Sequence, residues 1–173
     1  MSRRRDGLSL ALAVVAIMAS VGAAMAGATI ETSSFALTLP DGWIQNLASK
    51  PVSARGPRGE LLQISSSGVT GQPTPQESAR ILREIEEVAV RSMGRAAADP
   101  ALVTVTPLKK TMLPSGATLH EMVSKSRDGR SLLAQFSATG PRALVLLTVE
   151  LPASAASSID AVRASVAAIQ WAR

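Results

Sequence analysis

The chain has 173 residues, 46% hydrophobic and 18% charged, with a formal charge of +5, and a chain of that size and composition supports a single buried core. Zero Cys excludes disulfides, a cysteine nucleophile, iron–sulfur ligation, thiolate zinc sites and the acylated cysteine of a lipoprotein. One His, two Trp, two Phe and no Tyr leave neither a multi-histidine metal centre nor a base-stacking surface, so no metal, no cofactor and no nucleic acid is expected.

Arg3, Arg4 and Arg5 precede an apolar run from Leu8 to Met18, which continues through small residues to Ala24-Met25-Ala26. A charged start, an apolar middle and an A-x-A end are the three parts of a signal peptide, so residues 1–26 are expected to be removed, leaving one domain over 27–173. The stretch from Leu8 to Ala28 is also long enough to span a bilayer if cleavage fails, which keeps an uncleaved anchor as an alternative. Small residues crowd its end where an anchor carries Leu, Ile or Trp, and this favours cleavage with no stable membrane insertion afterwards. Losing three Arg and one Asp lowers the formal charge from +5 to +3. Export without cysteines points to a bacterial periplasm or exterior.

Phe35, Leu37 and Leu39 alternate with Ala36 and Thr38, the period of a half-buried strand, and Pro40-Asp41-Gly42 turns the chain. Trp43 and Ile44 restart an apolar stretch, with Trp43 expected in the core. Ser53 to Gly59 reads as a turn or mobile loop, Glu60 to Ser65 as a short strand, and Ser66 to Pro73 as a linker-like loop. Thr74-Pro75-Gln76-Glu77 carries an N-cap, a proline at the first helical position and a glutamate three residues after the cap. Behind it Ser78, Ile81, Leu82, Ile85, Val88, Ala89, Ser92 and Met93 recur at helical spacing. Glu84, Glu86 and Glu87 are expected on the opposite, ion-paired face, with pairs Arg80–Glu84, Arg83–Glu87 and Glu87–Arg91.

Leu102 to Thr106, Ala117 to Ser126, Ser131 to Thr139 and Ala143 to Leu151 read as strands, with Leu113-Pro114-Ser115-Gly116, Asp128-Gly129 and Gly140-Pro141-Arg142 as the turns. Consecutive hairpins make an antiparallel meander, and Ala143 to Leu151 is apolar enough for the sheet centre. A last helix starts at Ser157 or Ser158, presents Ile159, Val162, Val166 and Ile169 on one face, and is expected to end near Ala168 with the final residues extended. The fold class is α+β: an antiparallel meander flanked by a long central amphipathic helix and a C-terminal helix.

That order of elements, with Phe35, Pro40 and Trp43 spaced as they are and Ile169-Gln170-Trp171 after the final helix, resembles the PsbP-like superfamily. The group includes an extrinsic photosystem II subunit, a Ran-binding release factor and exported bacterial proteins of mostly unassigned role. The resemblance runs from Phe35 to Trp171 and implies an α/β/α sandwich serving as a binding or assembly module, without a common catalytic centre. The few aromatics depart from those members, and no residue of a Ran or photosystem site has a counterpart here.

The residues that could carry chemistry are few. His120-Glu121 begins like a zincin motif, but Ser124 stands where the second His belongs, and neighbours in a strand face opposite ways. His120 is therefore expected as a strand residue, hydrogen-bonded or exposed at the sheet face. No Gly-x-Ser-x-Gly elbow occurs, and Ser65-Ser66-Ser67-Gly68 reads as a solvated turn rather than an anion nest. Arg55, Arg58, Lys109 and Lys110 lie in or beside expected loops and could form a basic patch for a small anionic ligand or an acidic envelope protein. The expectation is a non-catalytic exported binding or assembly module, with Arg55, Arg58, Lys109, Lys110 and His120 as its site and its oligomeric state open. The alternatives are a periplasmic hydrolase using His120 as base and a protein anchored by its N-terminal helix, and a pocket with two or more convergent titratable groups would count against the non-catalytic expectation.

Overall fold

The computed structural model describes residues 27–172, so the expected signal peptide and its expected cleavage lie outside the described residues. Strands β1 (Thr29–Glu31), β2 (Phe35–Thr38), β3 (Ile44–Asn46), β4 (Val52–Arg55) and β5 (Leu61–Gly68) lead into helix α1 (Pro75–Ala97). Strands β6 (Leu102–Met112), β7 (Thr118–Ser126), β8 (Ser131–Thr139) and β9 (Ala143–Pro152) follow, then a 3-10 turn at Ala153–Ala155, helix α2 (Ser158–Ala167) and β10 (Gln170–Trp171).

The meander is realised as read. Strands β6 to β9 pair antiparallel in succession, and β5 joins the other side of β9, giving the order β3-β4-β5-β9-β8-β7-β6. The apolar β9 is thus the fourth of seven strands, hydrogen-bonded on both sides, where a near-continuous apolar sequence belongs.

A second, three-stranded sheet was not expected. Strand β2 pairs with β1 on one side, Ile30 opposite Leu37, and with β10 on the other, Trp171 opposite Phe35. The Phe35 and Trp171 rings lie 6.4 Å apart in a tilted arrangement, the geometry aromatic quadrupoles prefer. The extended tail after α2 is what completes this sheet.

Consecutive residues of β7 define the layers. His120 faces Glu86 of α1, whereas Glu121 accepts a 2.7 Å hydrogen bond from Arg163 Nε of α2, so the two helices cover opposite faces. On the α2 side, Phe136, Val145, Leu147 and Val149 pack with Leu37 of β2 and with Val162 and Val166 into the main core, and Trp43 is buried there as expected. On the α1 side, Leu82, Ala89 and Met93 lie over a sheet face that mixes Met122 and Leu144 with the buried polar residues His120, Ser124, Gln135 and Ser137.

Helix α1 starts as read. Thr74 Oγ1 accepts from the Glu77 N–H, and the Glu77 carboxylate accepts in return from the Thr74 N–H, at 2.9 Å. Burying Leu82 and Met93 contributes about 1.5–3 kcal/mol each, against about 0.2–0.5 kcal/mol for an exposed pair such as Arg80–Glu84. The buried stripe therefore decides where the helix docks. That stripe is rotated from the expected one: Val88 is exposed at 59%, and Glu86 is turned inwards.

Several expected loops are strands. Val52–Arg55 is β4, paired with β5, rather than part of a mobile loop, and Ser65 to Gly68 lies within β5 opposite Ala143 to Leu146 of β9, which removes the solvated-turn and nest readings. Strand β6 runs on to Met112 through two register shifts, so Lys109 and Lys110 are strand residues. Inter-strand hydrogen bonding by the polar backbone overrides the local turn composition in each case.

Candidate binding site

Strand alternation separates the expected basic residues. In β6, Lys109 stands opposite Glu121 and Lys110 opposite His120, so the two lysines emerge on opposite faces. Arg55 and Arg58 belong to the β4–β5 hairpin, at the far side of the seven-stranded sheet from β6. The four cations do not form one patch.

Arg58 is held by the fold itself. Its Nε lies 3.4 Å from Glu60 Oε1, and its guanidinium donates to the Ser157 and Ser158 hydroxyls. Ser158 Oγ donates to Glu60 as well, and the Arg58 backbone N–H donates to Glu60 Oε2 at 2.7 Å. Burial opposes ionisation of Glu60, but the Ser158 hydroxyl, the backbone N–H groups of Glu60 and Arg58 and the Arg58 charge together hold its carboxyl below the usual range. This knot ties the β4–β5 turn to the start of α2. Ser157 occupies the N-cap position without capping through its hydroxyl, which accepts from Arg58 instead. Arg55 lines a shallow depression of about 390 Å³ with Arg130 and Glu150.

The remaining two residues are brought together. Lys110 Nζ lies 3.3 Å and His120 Nε2 lies 3.6 Å from the same oxygen, Oε1 of Glu86. They line a pocket of about 350 Å³ between α1 and the β6–β7 edge, completed by Arg83, Glu87 and Val90. The carboxylates of α1 were expected on a solvated face, and Glu86 departs from that. Four residues after Leu82, three before Ala89 and seven before Met93, it stands at a stripe position. That spacing is the signal by which the sequence could have revealed it.

His120 is a buried strand residue, neither exposed nor bound by a short hydrogen bond. Burial lowers its pKa from the ordinary imidazole value, Glu86 pulls it back up, and Lys110 pushes it down. The imidazole is therefore neutral near pH 7. Behind it His120 Nδ1, Ser137 Oγ, Gln135 Oε1 and Ser124 Oγ are buried without a hydrogen-bond partner in the protein. All four lie on the sheet face beneath α1, an unusual concentration of unmatched polar atoms. Arg83, at the pocket, has no ion-pair or hydrogen-bond partner among the described residues. No group of three or more potential ligating side chains converges among the described residues.

No family model matches the chain, and no curated protein matches it. Its structure is similar to the solution structure of cyanobacterial PsbP (CyanoP) from Synechocystis sp. PCC 6803, with a TM-score of 0.55 and 16% identity over 88% of this chain and 96% of that one. At that identity the likeness is one of architecture, and it bears out the resemblance read from the order of elements. The chain has a PsbP-like α+β fold.

Proposed function

We propose that this protein is an exported, non-catalytic binding or assembly module of the bacterial envelope, and that the pocket bounded by Arg83, Glu86, Lys110 and His120 is where it binds. The observation that carries the reading is a pocket lined by charged side chains of both signs, with an Arg83 guanidinium at it that is unmatched among the described residues. The signal-like residues 1–26 support export, and no helix among the described residues is long and apolar enough to cross a membrane.

A hydrolase using His120 as base is the second reading, favoured by the convergence of His120, Glu86 and Lys110 on one point. Two features weigh against it. Ser137, directly across from His120 on β8, and Ser124, on the same face of β7, are fully buried under α1 and out of a substrate's reach. The Glu86 oxygen that would orient the imidazole is shared with the Lys110 ammonium, which opposes proton uptake by His120.

The test is affinity capture from a native envelope extract at low and high salt, with proteins and small molecules identified by mass spectrometry. The wild type and Lys110→Glu are compared. A species held by the wild type and lost in the variant is expected, with weaker capture at high salt. Equal capture by both, or ester or amide hydrolysis that disappears in His120→Ala, overturns the reading.

A further inference from the structure

We infer that Arg83 and Lys110 form a receptor for a small oxyanion, a carboxylate or phosphate group, and that occupying it transfers the Glu86 carboxylate from Lys110 to His120. This rests on the pocket being the binding site and names the chemistry of its ligand. Arg83 supplies a guanidinium with no competing partner among the described residues, the fork that binds carboxylate and phosphate oxygens in two parallel hydrogen bonds. Lys110 supplies a second cation on a side chain that is 60% exposed and free to swing, whereas the Glu86 side chain, 18% exposed, is held at the helix–sheet seam. The ligand therefore draws the lysine out, and the glutamate stays.

The charges then require a compensating step. With His120 neutral and Glu87 paired with Arg91, the charges of Arg83, Lys110 and Glu86 leave +1 at the pocket. A bound dianion such as sulfate or malonate leaves one negative charge in excess, and Glu86 loses its near cation while remaining largely out of water. The nearest group able to restore neutrality is His120, with Nε2 3.6 Å from the same oxygen. Oxyanion binding is thus coupled to uptake of one proton by His120. The groups facing the imidazole are Glu86, with Arg83 and Glu87 beside it, from α1 and Lys110 from β6, while β8 places the uncharged Ser137 opposite it. Glu121 and Lys109 lie across the sheet and take no part. Linkage makes the affinity fall by about tenfold per pH unit between the imidazole's titration in the free state and its raised titration in the bound state, and level off above the latter.

The chain's single histidine makes the test direct, because its imidazole C–H resonances report one group. The purified protein is titrated by NMR in sodium chloride and, at equal ionic strength, in sulfate and in malonate. The expected result is a midpoint raised by sulfate and malonate in the wild type and unmoved in Arg83→Ala, an exposed position whose truncation leaves the core intact. Calorimetry in two buffers of different ionisation enthalpy should show uptake of close to one proton per anion at pH values between the free and the anion-bound midpoints, reduced to none in Glu86→Gln while anion binding persists. A midpoint that sulfate and malonate leave in place, or move equally in Arg83→Ala, overturns the inference, and anion binding without proton uptake overturns the coupling. Competition against sulfate by soluble glycerol phosphate or by phosphatidylglycerol vesicles distinguishes a small-molecule oxyanion from a lipid headgroup. An unmoved midpoint alongside a captured species that Lys110→Glu loses would refute the oxyanion receptor and leave the binding-module reading standing. A raised midpoint with equal capture by both proteins would do the reverse.

Discussion

His120 Nε2 and Glu86 Oε1 lie 3.6 Å apart across the seam between β7 and α1, so a buried imidazole and a largely buried carboxylate meet where an amphipathic helix covers a polar patch of sheet. Burial holds the imidazole neutral, and Glu86 opposes that effect. Glu86→Gln should therefore lower the His120 titration midpoint further, and Lys110→Met should raise it. Imidazole NMR titration of the two variants checks both directions, and a midpoint that rises in Glu86→Gln contradicts the electrostatic account.

Acidification should destabilise the protein through the same residue. A histidine whose folded pKa lies below its unfolded value of about 6.5 binds fewer protons in the native state. Its contribution is intact above pH 6.5, declines as pH falls below that value, and levels off beneath the folded pKa. Urea denaturation across this range should show the decline in the wild type and a flatter profile in His120→Gln.

Glu60 sets a second, more acidic step. Its folded pKa lies below the ordinary 4.5 because the Ser158, Arg58 and backbone donors overcome the cost of burial. The stability it contributes is present above pH 4.5 and is lost as pH falls through the folded value. Glu60→Ala leaves the Ser158 hydroxyl and the Arg58 N–H without this acceptor, and should cost about 1–3 kcal/mol at pH 7 by chemical denaturation. A loss below about 0.5 kcal/mol, the scatter of surface substitutions, would show that the knot between the β4–β5 turn and α2 is dispensable.

Gly140 has a packing role. A Cβ built there would run into the Trp171 indole, whose ring lies beside Phe35 in the three-stranded sheet. Gly140→Ala should displace Trp171 and destabilise the protein by about 1–3 kcal/mol. Denaturation followed by tryptophan fluorescence is the measurement, and unchanged emission with unchanged stability would show that the indole is not seated against residue 140.

Thr74→Ala should cost about 0.5–2 kcal/mol by removing the acceptor for the Glu77 N–H. Because α1 carries Glu86, fraying of its first turn should also broaden the His120 resonances. Loss of stability with sharp, unmoved resonances would place the pocket outside the reach of that turn.

What was legible was whatever repeats along one element. The capping box at Thr74 and Glu77, the hairpins around Gly129 and Gly140, and the apolar run of β9 are each decided within about ten residues by local hydrogen bonding and side-chain alternation. The turn-like 53–59 segment and the serines of β5 were misread because small polar residues fit a strand once a neighbour supplies the ladder. Glu86 was hidden by its neighbours. Among Glu84, Glu86 and Glu87 only the helical phase separates one carboxylate from the others, and the outward position of Val88 shows that the phase is set by docking against the sheet rather than by composition.

By itself the sequence determined the class of the fold: a cysteine-free α+β chain with two helices and a meander, because composition and periodicity act locally. Only the tertiary structure decided that Lys110 leaves Lys109 to join His120, that Glu86 meets both, and that Arg58 is committed to Glu60 and α2. Strand pairing and helix docking join residues far apart in the chain, and the free energy that selects those contacts comes from apolar burial over the whole sheet, which no short stretch of sequence contains.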